Sequence, residues 1–139
     1  MIECPSCGTK NRVPVSSGGR PSCASCRTDL PWLVEAGDAE FAGAVDTARL
    51  VVVDLWAPWC GPCRMIAPVL ERLSREFAGR LKVVKVNVDE SPMTARRYEA
   101  RSIPMLLLMR NGEVVNTIIG AQPEHVMRTL IEGELRVRG

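Results

Sequence analysis

The 139-residue chain lacks a long hydrophobic run. Its longest apolar stretch, LVVVDLWA at 50–57, is interrupted by Asp54, whereas a spanning helix needs about 20 apolar residues. No membrane segment and no membrane partner are expected. The opening MIECPSCGTK has neither the basic nor the apolar region of a secretory signal. Charge of one sign is also scarce. A net charge of +2 at pH 7 is too small to imply a nucleic-acid or anionic-membrane partner. The chain is therefore expected to work in a reducing cytosol. There, paired cysteines bind metal or do redox chemistry more often than they form permanent disulfides.

The first 30 residues are poor in large apolar side chains, yet hold four of the six cysteines. Such a stretch cannot bury a core of its own. PVSSGGRPS at 14–22 reads as a flexible loop between two cysteine knuckles. From Pro31 the texture changes, and the 46% hydrophobic content suffices to fill one core. The expected division is a small module over 1–30 and a domain over 31–139.

Within 31–139 the spacing predicts a βαβαβαββα order. WLVEA (32–36) reads as a short strand. A helix over 38–48 would place Phe41, Ala44, Val45 and Ala48 on one face, with Asp38 as N-cap. LVVVDLW (50–56) is a β-branched run suited to burial on both sheet faces. Residues 62–78 carry Ile66, Leu70, Leu73 and Phe77 on a helical stripe, with Pro68 expected to kink it. LKVVKVNVD (81–89) is a second central strand. Ser91 and Pro92 suit the N-cap and first position of a short helix over 91–100. MLLLMR and EVVNTII flank Asn111-Gly112, a two-residue hairpin signal. An amphipathic helix over 123–137 turns Val126, Met127, Leu130 and Ile131 inward. His125, near its start, reads as a surface residue.

Cys4, Cys7, Cys23 and Cys26 give C-x2-C-x15-C-x2-C, a spacing read as a four-thiolate zinc site. Two such turns close a tetrahedron with no open position, so one structural Zn2+ is expected. Its binding would supply folding free energy that the core-poor segment lacks. Exposed dithiols or two disulfides are the alternatives. Lys10, Arg12, Arg20 and Arg27, without an aromatic among them, are a weak basis for nucleic-acid binding.

Cys60 and Cys63 stand differently, between a buried strand and a helix. Unpaired N–H groups and the helix dipole favour a thiolate on Cys60. Cys63, one turn in, should be the less exposed. A zinc half-site or a permanent disulfide fits this context poorly.

VVVDLWAPWCGPCRMIAPVLERL (51–73), with KVNVDE, RSIPMLLLMRNGEVV and the Gly120-Ala121 pair, resembles the thioredoxin family. With the four-cysteine segment added, the chain is similar to the bacterial class of that family with an N-terminal zinc ribbon. The resemblance implies a thioredoxin fold: an α/β protein with a central mixed sheet flanked by helices, here with a zinc-ribbon module. It implies a protein-disulfide reductase cycling through a Cys60–Cys63 disulfide, with Cys60 the attacking thiol and Cys63 the resolving one. Asp54 matches the family's buried carboxylate. Unpaired in mid-strand, it should carry a raised pKa and accept the Cys63 proton. Lys85 matches the lysine that influences that carboxylate. Ile103-Pro104 matches the cis-proline loop that pairs with substrate backbone. Trp59, Gly61 and Pro62 shape the rim, and Gly120 lies near the substrate groove. Trp56 and Trp32 read as core, Trp32 at the seam with the ribbon. The implied partners are thioredoxin reductase and disulfide-containing client proteins, and a monomer is expected. Met105, Met109 and Leu55 stand where the family usually has Thr, an aromatic and Phe, which bears on substrate preference. Two other functions remain open: a zinc-based redox sensor or holdase that releases metal on oxidation, and a binding module whose ribbon recruits partners.

Overall fold

The β-branched runs build a five-stranded sheet, and the segments with helical periodicity cover its two faces. The computed structural model describes residues 1–16 and 20–137. Residues 17–19, the middle of the expected 14–22 loop, lie outside the described residues, as do 138 and 139. The elements are β1 (Ile2–Glu3), β2 (Lys10–Asn11), β3 (Trp32–Glu35), α1 (Phe41–Val45), β4 (Leu50–Trp56), α2 (Gly61–Glu76), β5 (Leu81–Asn87), α3 (Pro92–Arg97), β6 (Met105–Arg110), β7 (Glu113–Ile119) and α4 (Glu124–Val137). From β3 onward this is the expected order.

The strands lie in the order β3-β5-β4-β6-β7. β3, β5 and β4 are parallel, while β6 and β7 run antiparallel. The sheet is therefore mixed, as expected. β4 sits centrally with its first six residues buried. Alternate residues of β4 feed two cores, because successive side chains point to opposite faces. Leu50 and Val52 pack with Ile66, Leu70 and Leu73 of α2 and with Met127 and Ile131 of α4. Val51, Val53 and Leu55 pack with Phe41, Ala44 and Val45 of α1. Asn111 and Gly112 take φ of 52° and 77°. Positive φ at both central residues matches the strand twist of a tight hairpin.

α1 is shorter than its periodicity suggests. It starts at Phe41, with Glu40 at the N-cap position. Asp38 does not cap it. Its carboxylate instead accepts from Met93 N at 3.1 Å, Thr94 N at 2.8 Å and Thr94 Oγ1 at 2.7 Å. Ser91 occupies the N-cap position of α3 but makes no capping bond. The first turn of α3 is thus satisfied by a residue 55 positions away. Those hydrogen bonds hold the Asp38 carboxyl below its ordinary pKa, Thr94 contributing most.

The N-terminal segment packs on the sheet rather than standing apart. Trp32 Nε1 donates to the Pro14 carbonyl at 2.8 Å. Lys82 Nζ, fully buried, donates to the carbonyls of Val15 at 2.6 Å and Ala44 at 2.7 Å. It also lies 4.2 Å from the centre of the Trp32 ring, a cation–π arrangement. No described helix is long and apolar enough to cross a membrane.

Candidate redox site and metal centre

Four residues, 57–60, join β4 to α2, and this turn brings Cys60 to a helix N-terminus. Cys60 is the N-cap residue of α2, and its Sγ accepts from Cys63 N at 3.1 Å. That N–H is one of the donors a helix start leaves unpaired. Pro62 occupies the first turn, where the missing N–H costs nothing. Cys60 and Cys63 are joined as a disulfide with Cα atoms 5.3 Å apart, inside the usual range. Cys63 is 2% exposed and Cys60 5%. The expected order of exposure holds, though both are buried in this oxidised state.

Around the disulfide, Ala57, Trp56, Val88 and Ile103 form the packing shell. The Ile103 carbonyl lies 3.7 Å from Cys60 Sγ. The Ile103–Pro104 bond is cis. The Pro104 carbonyl accepts from Gly120 N at 2.9 Å. Gly120 has φ of 84°, a conformation that L side chains rarely adopt. A Cβ at Gly61 would meet no atom within 4 Å, so the disulfide rim is open there. Trp59 is exposed beside it, and its Nε1 donates to Asp89 Oδ2 at 2.9 Å. Nothing in the sequence marked Asp89 as the anchor of this tryptophan.

Asp54 lies two residues beyond Val52, on the sheet face that α2 covers. It is 0% exposed, and neither carboxylate oxygen has a hydrogen-bond partner among the described residues. Lys85 faces it from β5 in direct register, with Nζ 4.0 Å from Oδ2. Burial pushes the Asp54 carboxyl up to about 6, and the Lys85 ammonium only partly offsets this. Lys85 Nζ is also 4.9 Å from the centre of the half-buried Trp56 ring. Met109 and Leu55 are buried in the opposite core. Met105 is half-buried beside the cis-proline.

A family model, Thioredoxin, matches residues 32–133. The chain belongs to the thioredoxin family. The thioredoxin of Bacillus subtilis (strain 168) is 47% identical over 103 residues, covering 74% of this chain and 98% of that one. The thioredoxin of Haemophilus influenzae is 47% identical over 100 residues, covering 71% and 94%. Chloroplastic thioredoxin M4 of Arabidopsis thaliana is 41% identical over 138 residues, covering 95% and 70%. Thioredoxins are disulfide oxidoreductases. The chain is accordingly a thiol–disulfide oxidoreductase, and Cys60–Cys63 forms its disulfide.

The other four cysteines converge. The sulfurs of Cys4, Cys7, Cys23 and Cys26 all lie within 4.8 Å of one another. Two near-identical knuckles hold them. Cys4 N donates to Thr9 O and Gly8 N to Cys4 O, while Cys23 N donates to Thr28 O and Arg27 N to Cys23 O. Gly8 and Arg27 both take positive φ, 77° and 67°. The Cys4–Cys26 and Cys7–Cys23 sulfur pairs are each 3.6 Å apart. That is far beyond a disulfide bond of about 2.05 Å. It is close to the edge of about 3.8 Å that a tetrahedron with Zn–S of about 2.3 Å would have. Ser25 N and Asn11 Nδ2 point at Cys23 Sγ from 3.4 and 3.5 Å. Such N–H donors stabilise a liganding thiolate. The four residues therefore fit a metal ion that prefers sulfur.

Proposed function

We propose that the chain is a protein-disulfide reductase of the thioredoxin 2 class, with a zinc-ribbon module over 1–30 and a redox domain over 31–139. The observation that carries it is the Cys60–Cys63 pair at the α2 N-terminus, with buried Asp54 on the same sheet face and the Pro104 loop alongside. In the reduced protein the Cys60 thiolate attacks a client disulfide. A Cys60–client disulfide forms and the first client sulfur leaves as a thiolate. Asp54 accepts the Cys63 proton, with Lys85 setting its readiness to do so. The Cys63 thiolate then attacks Cys60 Sγ and releases the second client sulfur. The client ends reduced and the Cys60–Cys63 disulfide is restored.

Trp59, Gly61, Pro62, Ile103, Pro104 and Gly120 form the surface on which the client's extended backbone rests. The openness at Gly61 supports that reading. Thioredoxin reductase, using NADPH, would return the two electrons. Cys4, Cys7, Cys23 and Cys26 would hold one Zn2+, which would tie the two knuckles together with no catalytic part. The protein is read as a cytoplasmic monomer. Insulin reduction with a reducing partner should proceed with the unaltered protein and stop in Cys60→Ser. Full activity in that variant would sink the reading. Exposure of Cys7 and Cys26 favours a second reading, metal release on oxidation. Metal retained through a complete oxidation cycle would count against it.

A further inference from the structure

The sheet carries a row of three ionisable side chains at its centre and edge. Glu35 on β3 is in direct register with Lys85 on β5, and Lys85 is in direct register with Asp54 on β4. Residues in register on neighbouring strands project to one face, about 5 Å apart. All three therefore stand on the face that α2 covers, in the order exposed, half-buried, buried. We infer that Glu35 is a positioning residue: it competes with Asp54 for the Lys85 ammonium and so keeps Asp54 able to hold a proton. This rests on the reading of Asp54 as acceptor of the Cys63 proton.

A cavity of about 280 Å³ opens beside Lys85 at the ends of β3 and β5, and Glu35, Glu40, Glu90 and Ser91 share its walls. Glu40 faces it from the turn before α1, but Glu40 Oε1 is already taken by Gly37 N at 2.7 Å. Glu90 faces it from the loop before α3. Of these carboxylates Glu35 is the one in direct register with Lys85, while among the described residues Asp54 is the carboxylate that the ammonium reaches within ion-pair distance. On the inner side, Lys85 meets Asp54 at 4.0 Å and the Trp56 ring at 4.9 Å, and Trp56 in turn packs against Cys60 and Cys63. A lysine stem is long and flexible enough to move its charge between these two sides. With an anion on the outer side, the ammonium spends less of its time against Asp54. Without it, the ammonium settles inward and favours the ionised carboxylate.

The test is a pH titration of the Asp54 carboxyl by carbon-13 NMR, with Asp54→Asn identifying the signal. Glu35→Gln should lower the midpoint by a few tenths of a pH unit, the size suited to one exposed, screened charge. Glu35→Asp should stay near the unaltered value. In a Lys85→Met background the effect of Glu35→Gln should shrink. An unchanged or higher midpoint in Glu35→Gln would overturn the inference. So would an equal shift with Lys85 removed, since Glu35 would then act directly. If Asp54→Asn slows insulin reduction while Glu35→Gln leaves the midpoint alone, the reading of Asp54 stands and only the role of Glu35 falls. A protein in which Asp54 never titrates near neutrality overturns both.

Discussion

Lys82 of β5 binds Val15 of the N-terminal segment: Nζ donates to the Val15 carbonyl at 2.6 Å, 67 residues away in sequence. The same ammonium donates to Ala44 at the end of α1. One buried side chain thus ties the segment after the first knuckle to the redox sheet. Lys82→Met keeps much of the volume but leaves both carbonyls without their donor. Unpaired buried polar groups cost about 1–3 kcal/mol. Urea denaturation should show a loss of that order. A midpoint equal to that of the unaltered protein would show the contact to be dispensable.

Asp54 sets a pH dependence of stability with a definite sign. Burial raises its carboxyl from 3.8 to about 6. Between those values the native oxidised protein holds a proton that the unfolded chain has released. The native state is thereby favoured below the lower value, and the advantage is lost as pH rises through about 6. Asp54→Asn removes the ionisable group. The variant should exceed the unaltered protein in stability above that window, and the gap should close below it. Thermal melts of both oxidised proteins across acidic to neutral pH would check this.

The second cysteine can be isolated by stalling the exchange. On the proposed mechanism, Cys63→Ser would leave Cys60 free to attack but remove the thiol proposed to resolve the product. A mixed disulfide between Cys60 and the client should accumulate, visible by mass spectrometry and released by dithiothreitol. Cys60→Ser should yield none.

Metal content separates the two kinds of cysteine. One zinc per chain is expected, lost on chelation with release of the four sulfurs of Cys4, Cys7, Cys23 and Cys26. Because Lys82 and Trp32 bind the adjoining backbone, loss of the metal should also lower the melting temperature of the redox sheet. An unchanged melt after complete chelation would show that the two parts unfold independently.

Sequence alone determined the order of elements from β3 to α4, the limits of β4, β6 and β7, the hairpin at Asn111-Gly112 and the separation of Cys60 and Cys63 from the other four cysteines. Those features rest on periodicity, on the φ that a turn demands and on short spacings, all expressed within a few residues. Tertiary structure alone decided that Asp38 caps α3 instead of α1, that Asp89 anchors Trp59, and that Lys82 joins Val15 to Ala44. It also aligned Glu35, Lys85 and Asp54 in one row. Each of these pairs residues far apart in the chain or on separate strands. Local propensity carries no term for such partners. They are chosen when the strands take their register and the buried polar groups must find whatever donors the packing brings near.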